Sequence, residues 1–391
     1  MLLANGNARP DRRYSDSVNH TQIIAAMKTT ILKRIQDWWT PQSQLTSPHT
    51  PASTQANEAT YAAKIAQEQA IFATQINVHD LPSIFHYWSN KYLRQMQEPF
   101  GFSNPDQFFE TCLARAFHAA AQRPARFVSI GAGNCDAEVR LAVALKQQGM
   151  SDFVLECIDI NPHMLERGRA LASEAGVALQ VLPLQGDFNA WRPQQQFDAV
   201  IANQSLHHVL NLENLFDAIH AALAPGGTFI TSDMIGRNGH QRWPEALAIV
   251  QEFWNELPKH YRYNVQLKRQ EHKFQNWDCS QQGFEGIRAQ DVLPLLIQRF
   301  DFEFFLGFAN IIDPFIDRSF GHHFNANTEW DRDFIDRVHA RDEAEMLAGS
   351  LKPTHMLAVM RKDYSGTTNY WKHLTPQFCA RASNLEPVAA E

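Results

Sequence analysis

A chain of 391 residues, 44% of them hydrophobic, can fill a core and is long enough for one elaborated domain or a domain with appendages. Its formal net charge of -7 speaks against a broad nucleic-acid-binding face, and no apolar run approaches the ~20 residues of a membrane span. Five scattered cysteines without a CxxC pair exclude a zinc ribbon or disulfide framework. The opening residues lack a secretory pattern, so the cytoplasm is the expected compartment.

In chain order, residues 1–57 read as a peripheral tail and flexible linker. A short amphipathic helix fits 21–39, and 40–60 is rich in Thr, Ser, Pro and Gln. Residues 58–124 read as a helical segment dense in aromatics, with Asn104 or Ser103 opening a helix before Pro105. Alternating strand and helix signals follow. Strands are expected over 126–130, 153–159, 178–182, 197–202 and 228–233, and helices over 136–148, 163–175 and 212–223, with Pro225, Gly226 and Gly227 as a stop. That alternation predicts an α/β fold with a mostly parallel sheet covered on both faces.

The most informative stretch is 127–162. A short apolar strand meets Gly131 and Gly133, a helix begins at Asp136, and a second strand ends on Asp159. Glycines there let the backbone turn sharply and approach a ligand, and an acid at the tip of the second strand can accept both hydroxyls of a ribose. A dinucleotide site wants a third glycine so that a diphosphate can reach the helix start. Here that region carries Cys135 and Asp136, and an acid repels phosphate but pairs with an α-amino group. S-adenosylmethionine has such an amino group, has a ribose and lacks phosphates.

From about 126 to 234 the chain resembles the class I S-adenosylmethionine-dependent methyltransferases. SIGAGNCD is similar to the family's glycine motif, with Ser129 where an acid is common and Cys135 where a third glycine is usual. The resemblance makes Asp159, in CIDINPHML, the ribose acid, with Ile160 and Met164 flanking the adenine. It sets Asp187, in QGDFNAW, against the adenine amino group with Phe188 beside the ring. FDAVIANQSLHHV then matches the fourth strand and its loop, including Asn203, and LAPGGTFITSD the turn into the fifth strand. The fold implied is a Rossmann-like, doubly wound, seven-stranded sheet. Its catalytic domain would span 125–362, with a helical N-terminal cap and inserts at about 235–290 and 313–352, before a C-terminal tail over 363–391.

Beyond Asp233 the chain leaves the minimal pattern. A helix is expected from Pro244, then a long irregular passage to Asp291, a sixth strand over 302–311, a charged helix over 330–347 and a seventh strand over 354–360. Long irregular passages inside compact domains are more often functional than idle, so the acceptor is expected to be chosen here. Tyr87 and Trp88 from the cap, with Arg237, Trp243 and Arg288, are candidates to line the acceptor pocket or grip an anionic group. For the aromatics the competing reading is core packing, and for the arginines structural ion pairs.

The chemistry expected is in-line methyl transfer to an enclosed small-molecule acceptor, the atom being oxygen, nitrogen or carbon. An acceptor with a proton to lose needs a base; His208, after the fourth strand, is the first candidate, then His240 and Asp233. His207 and His208 can equally be a loop pair that shapes the pocket. Asp233, His240, His322, His323 and His355 offer metal-binding groups, but their spacing is not diagnostic, and no metal is expected. Metal-assisted C-methylation of a keto acid, a non-catalytic cofactor-binding protein and a nicotinamide oxidoreductase are the alternatives. No nucleic acid or membrane partner is expected; homodimerisation is left open.

Overall fold

The strand and helix signals resolve into a sheet wound on both faces, in a computed structural model that describes residues 61–66, 69, 81–281 and 283–381. The amphipathic helix expected over 21–39 and its linker lie outside the described residues. α1 (Ser83–Trp88) runs through a π-helical turn, Ser89–Leu93, into Arg94–Gln97. α2 (Pro105–Ala119) starts where the sequence places it, with the Asn104 side chain accepting from the Gln107 amide.

The sheet then builds through β1 (Ala125–Ile130), α3 (Asp136–Gln147), β2 (Phe153–Asp159), α4 (Pro162–Glu174), β3 (Val181–Gln185), β4 (Phe197–Asn203), α5 (Leu212–Ala222) and β5 (Leu223–Met234). These five strands pair in parallel. After β5 come α6 (Pro244–Glu256), a small hairpin of β6 (Tyr263–Asn264) and β7 (Arg269–Gln270), and α7 (Ala289–Arg299). The chain then adds β8 (Asp301–Phe308), α8 (Asp313–Ile316), α9 (Glu329–Ala348), β9 (His355–Arg361), β10 (Asn369–Tyr370) and α10 (Pro376–Cys379). β9 runs antiparallel between β5 and β8. The full order is β10-β8-β9-β5-β4-β1-β2-β3, eight strands where seven were expected; the eighth is the two-residue β10 on the β8 edge.

Successive residues of the central strands enter different cores, as a pleated strand requires. Phe127, Ala199, Ile201 and Ile230 face one cluster, and Val128, Val200, Ala202 and Phe229 the other. The chain segment after β9, read as a tail, helps close the second core: Leu374 and Cys379 are buried there.

Two boundary shifts have local causes. β3 starts three residues later than expected because 177–180 form a turn, with Gln180 N–H donating to the Val177 carbonyl and Leu179 left in solvent. Pro183 fits inside β3 because that strand is an edge. β8 ends at Phe308 because Ala309 turns to a φ of 57° and the next two amides, of Asn310 and Ile311, donate to the buried Asp342 carboxylate at 3.0 Å each. Among the described residues no helix is long and apolar enough to cross a membrane.

Candidate active site

The nucleotide end lies at the carboxyl tips of β1, β2 and β3. Gly131 has φ 72°, and a Cβ built on it would lie 2.5 Å from Ser205 Cβ, so the loop after β4 can come close only against a glycine. Gly133, φ 55°, faces the Met164 methyl, which an added Cβ would meet at 3.1 Å. Cys135 holds a φ of 58° as the N-cap of α3, so the left-handed turn survives without the third glycine. The room comes instead from Gly168 in α4, where a Cβ would lie 2.8 Å from Cys135 Sγ. The acid missing at Ser129 also reappears, since Ser129 Oγ donates at 2.7 Å to the buried Glu138 of α3, whose carboxyl burial pushes up to about 7.

Asp159 braces this turn. One oxygen accepts the Gly133 amide at 2.9 Å and the other the Asn161 amide at 2.8 Å, while burial raises its pKa. Ile160 and Phe188 pack on the second core, and Asp136 opens α3 with no basic residue in that first turn. Asn203 ends β4, level with Ser232 of β5. Asp187, at the end of β3, accepts the Asn189 amide at 2.9 Å. Its carboxylate is also engaged by Tyr61, whose hydroxyl lies 2.9 and 3.0 Å from the two oxygens, so an adenine amino group would share it. Gln69 donates to the Ile160 carbonyl at 2.8 Å and Lys64 to the Gly283 carbonyl at 3.3 Å.

The second centre forms at the carboxyl ends of β4 and β5. Asp233 is fully buried and accepts the amides of Ser205 (2.9 Å), Leu206 (2.7 Å), His207 (3.3 Å) and Met234 (2.8 Å), and it holds His207 Nδ1 at 2.7 Å. Asp233 is therefore not a base open to an acceptor, as its place after the fifth strand suggested. With no exposed surface it reaches the neighbouring side chains only through His207.

His207 Nε2 lies 3.4 Å and His208 Nε2 3.5 Å from the carboxylate of Glu285, and His240 Nε2 makes a 2.6 Å bond to it. Burial by itself disfavours charge on His207, but Asp233 and Glu285 outweigh it and the pKa is pushed up to about 10. Burial, and then the neighbouring His207, bring His208 down to about 4, leaving a neutral ring at pH 7. Burial opposes ionisation of Glu285, yet the surrounding imidazoles hold it well below the usual carboxylate range. Glu285 escaped the sequence reading because it lies in the irregular passage. Its only signal is a pair of flanking glycines, Gly283 and Gly286, both with positive φ. A Cβ on Gly286 would meet Gly239 and the His240 ring at 3.1 Å, so the two loops interlock there.

Other candidates are placed elsewhere. Arg288 does not offer a free grip for an acceptor, because Glu213 takes it at 2.6 and 2.8 Å, Asp291 at 2.8 Å and the Leu210 carbonyl at 3.0 Å. Tyr87 bonds Asp336 and Trp88 bonds His339, both on α9, so the helical cap is tied to that helix and Trp88 is core. Arg237 lies over the Trp243 ring at 5.3 Å, and Arg381 over the same ring at 4.2 Å. His323 pairs with the Tyr263 carbonyl, and His355 faces Asp313 and Thr354. Arg242, not singled out beforehand, is buried and ties the His240 carbonyl to Asp313 and the Asn310 carbonyl.

Residues 128–227 match the family model described as a methyltransferase domain. That match covers about a quarter of the chain and falls on the glycine turn, the β2 acid and the β4 and β5 segments, the same stretch that resembles the class I S-adenosylmethionine-dependent methyltransferases in sequence. The chain is 23% identical over 171 residues to a sterol 24-C-methyltransferase of Pneumocystis carinii, a match that covers 41% of this chain and 45% of that protein's length. Among solved structures it is similar to the O-methyltransferase of a trans-AT polyketide synthase from Brevibacillus brevis, at 11% identity and TM-score 0.39 over 74% of this chain and 85% of that one. It is likewise similar to geranyl diphosphate C-methyltransferase from Streptomyces coelicolor, at 11% identity and TM-score 0.39 over 81% of this chain and all of that one.

Proposed function

We propose that this protein transfers a methyl group from S-adenosylmethionine to a small molecule whose reacting oxygen or carbon gives up a proton. The observation that carries the reading is the convergence of His207, His208 and His240 on Glu285, beside the loop whose Ser205 abuts Gly131. An acceptor that keeps no proton to lose has no need of such a cluster.

The residues at the nucleotide end fit this cofactor. Two glycines open the turn, Asp159 stands where a ribose would meet it, and the first turn of α3 carries Asp136 and Glu138 and no cation for a diphosphate. When bound, S-adenosylmethionine supplies a methyl group already activated by its positive sulfur. The rest falls to the chain: Asp159 orients the ribose, Asp136 receives the amino group, and the Asp233-anchored loop sets His208 and Glu285 against the acceptor. Holding the partners in line contributes roughly 7–11 kcal/mol in favourable cases. With the donor's S–CH3 electron pair kept by sulfur, the acceptor's proton would leave through the histidine–glutamate cluster to water. The five cysteines, all buried and unpaired, support a cytoplasmic assignment.

The test is calorimetry with S-adenosylhomocysteine on the full chain, together with transfer of labelled methyl to a panel of phenols, hydroxy acids and keto acids. Binding with turnover on one class supports the proposal. Binding without turnover on any class favours a non-catalytic cofactor-binding protein, and binding of NAD in place of the homocysteine nucleoside would sink it.

A further inference from the structure

We propose that His207, His208 and Glu285 hold a first-row divalent cation, with an open coordination position turned to the acceptor. The ligand atoms of these three residues lie within 4.8 Å of one another, and no other such group occurs among the described residues. The separations within the cluster set His207 and His208 apart from an ordinary ion pair. A carboxylate hydrogen-bonded directly to a ring nitrogen sits at about 2.7–2.9 Å, and His240 comes closer still, at 2.6 Å. His207 and His208 stand off at 3.4 and 3.5 Å, too far for good hydrogen bonds. The two nitrogens face opposite oxygens, Oε1 and Oε2, so the carboxylate spans them without locking either into an ion pair, and all three ligand atoms stay close enough to share one small cation.

The surroundings give an independent reason. His207 offers Nε2 to the cluster because its Nδ1 is bound to the fully buried Asp233, which itself is fixed by four backbone amides. A carboxylate behind a histidine ligand fixes its tautomer and aim, and such partners are the usual second layer of a metal centre. His240 performs the same service for Glu285, bonding one oxygen. Two imidazoles and one carboxylate suit zinc, iron or cobalt better than magnesium or calcium, and three protein ligands leave a fourth place free.

The cation site stands on these side chains alone; only its part in the reaction rests on the methyltransferase reading. There it lowers the pKa of a bound hydroxyl or enol. The proton passes to water, and the oxygen or its conjugated carbon becomes the nucleophile.

Zn²⁺ is the probe. Full-length protein stripped with EDTA and titrated calorimetrically should bind one equivalent. His208→Ala and Glu285→Gln should each weaken binding at least a hundredfold, Asp233→Asn about ten- to a hundredfold, and His323→Ala not at all. Cobalt loading should give the intense visible absorption of a four-coordinate site, lost in Glu285→Gln. S-adenosylhomocysteine binding, measured on each variant, reports folding and tests the cofactor reading separately. If stripped protein binds that nucleoside but takes up no zinc, or if Glu285→Gln and His208→Ala bind zinc as the parent does, the cation is refuted and the cofactor reading stands. Zinc bound with the expected losses but no nucleoside bound would leave the metal site standing and overturn the methyltransferase assignment.

Discussion

The nucleotide end and the acceptor end of the sheet's carboxyl edge are built in opposite ways. At β1 and β2 the working groups come from one stretch of about 35 residues, and backbone conformation does most of the positioning: glycine turns and amides braced by Asp159. At β4 and β5 the groups come from loops far apart in sequence, and side chains do the positioning: a buried aspartate aims a histidine, and a glutamate from residue 285 gathers three imidazoles. The first arrangement suits an invariant cofactor. The second can change its acceptor by exchanging loops while the sheet stays the same.

Breaking each end in turn should separate binding from chemistry. The largest effect is expected for Glu285→Gln, which should lower kcat by about a hundred- to ten-thousandfold, the usual worth of assisted proton removal. Its affinity for S-adenosylhomocysteine should stay unchanged; an equal loss in both would mean that the two ends are not separable. Asp159→Ala should do the reverse, raising the dissociation constant for that nucleoside by about a hundredfold. The loss of charged hydrogen bonds at about 1.5–3 kcal/mol each sets that scale.

A pH experiment sharpens the same contrast. Glu138 sits under the glycine turn with its pKa raised from 4.5 to about 7, so the folded chain keeps a proton that the unfolded chain has released. Its contribution to stability is complete below about pH 4.5 and is lost as pH rises to about 7, a fall of roughly 3 kcal/mol that then levels off. Denaturant unfolding across that range should show the slope, and Glu138→Gln should remove only its share, because burial also pushes Asp342 up to about 7. Smallest of all, Arg288→Lys should cost under about 1 kcal/mol and leave the acceptor KM unchanged, because that guanidinium serves Glu213 and Asp291 at a partly exposed site.

The difference between the ends also explains what could be read from the chain. The turn at Gly131 and Gly133, the acid at Asp159 and the β1-to-β5 order were legible because each is local, encoded by residues adjacent in sequence or by strand and helix period. His208 and His240 were legible as residue types in loops after the right strands. Their carboxylate partner was not, since Glu285 follows a passage with no period and joins them only through the crossing of two glycine-bearing loops. Asp233 was found but misjudged, because burial and four amide donors are properties of the folded loop. Arg288 and Trp88 failed as pocket residues for the same reason, their partners lying about 75 and 250 positions away.

Tyr61 and Gln69 hydrogen-bond Asp187 and the Ile160 carbonyl, just beyond the ends of β3 and β2. A nucleoside whose adenine meets Asp187 would share that carboxylate with the Tyr61 hydroxyl. If release of the by-product limits the cycle, Tyr61→Phe is expected to raise kcat and the cofactor KM together, and an unchanged kcat would place the slow step elsewhere.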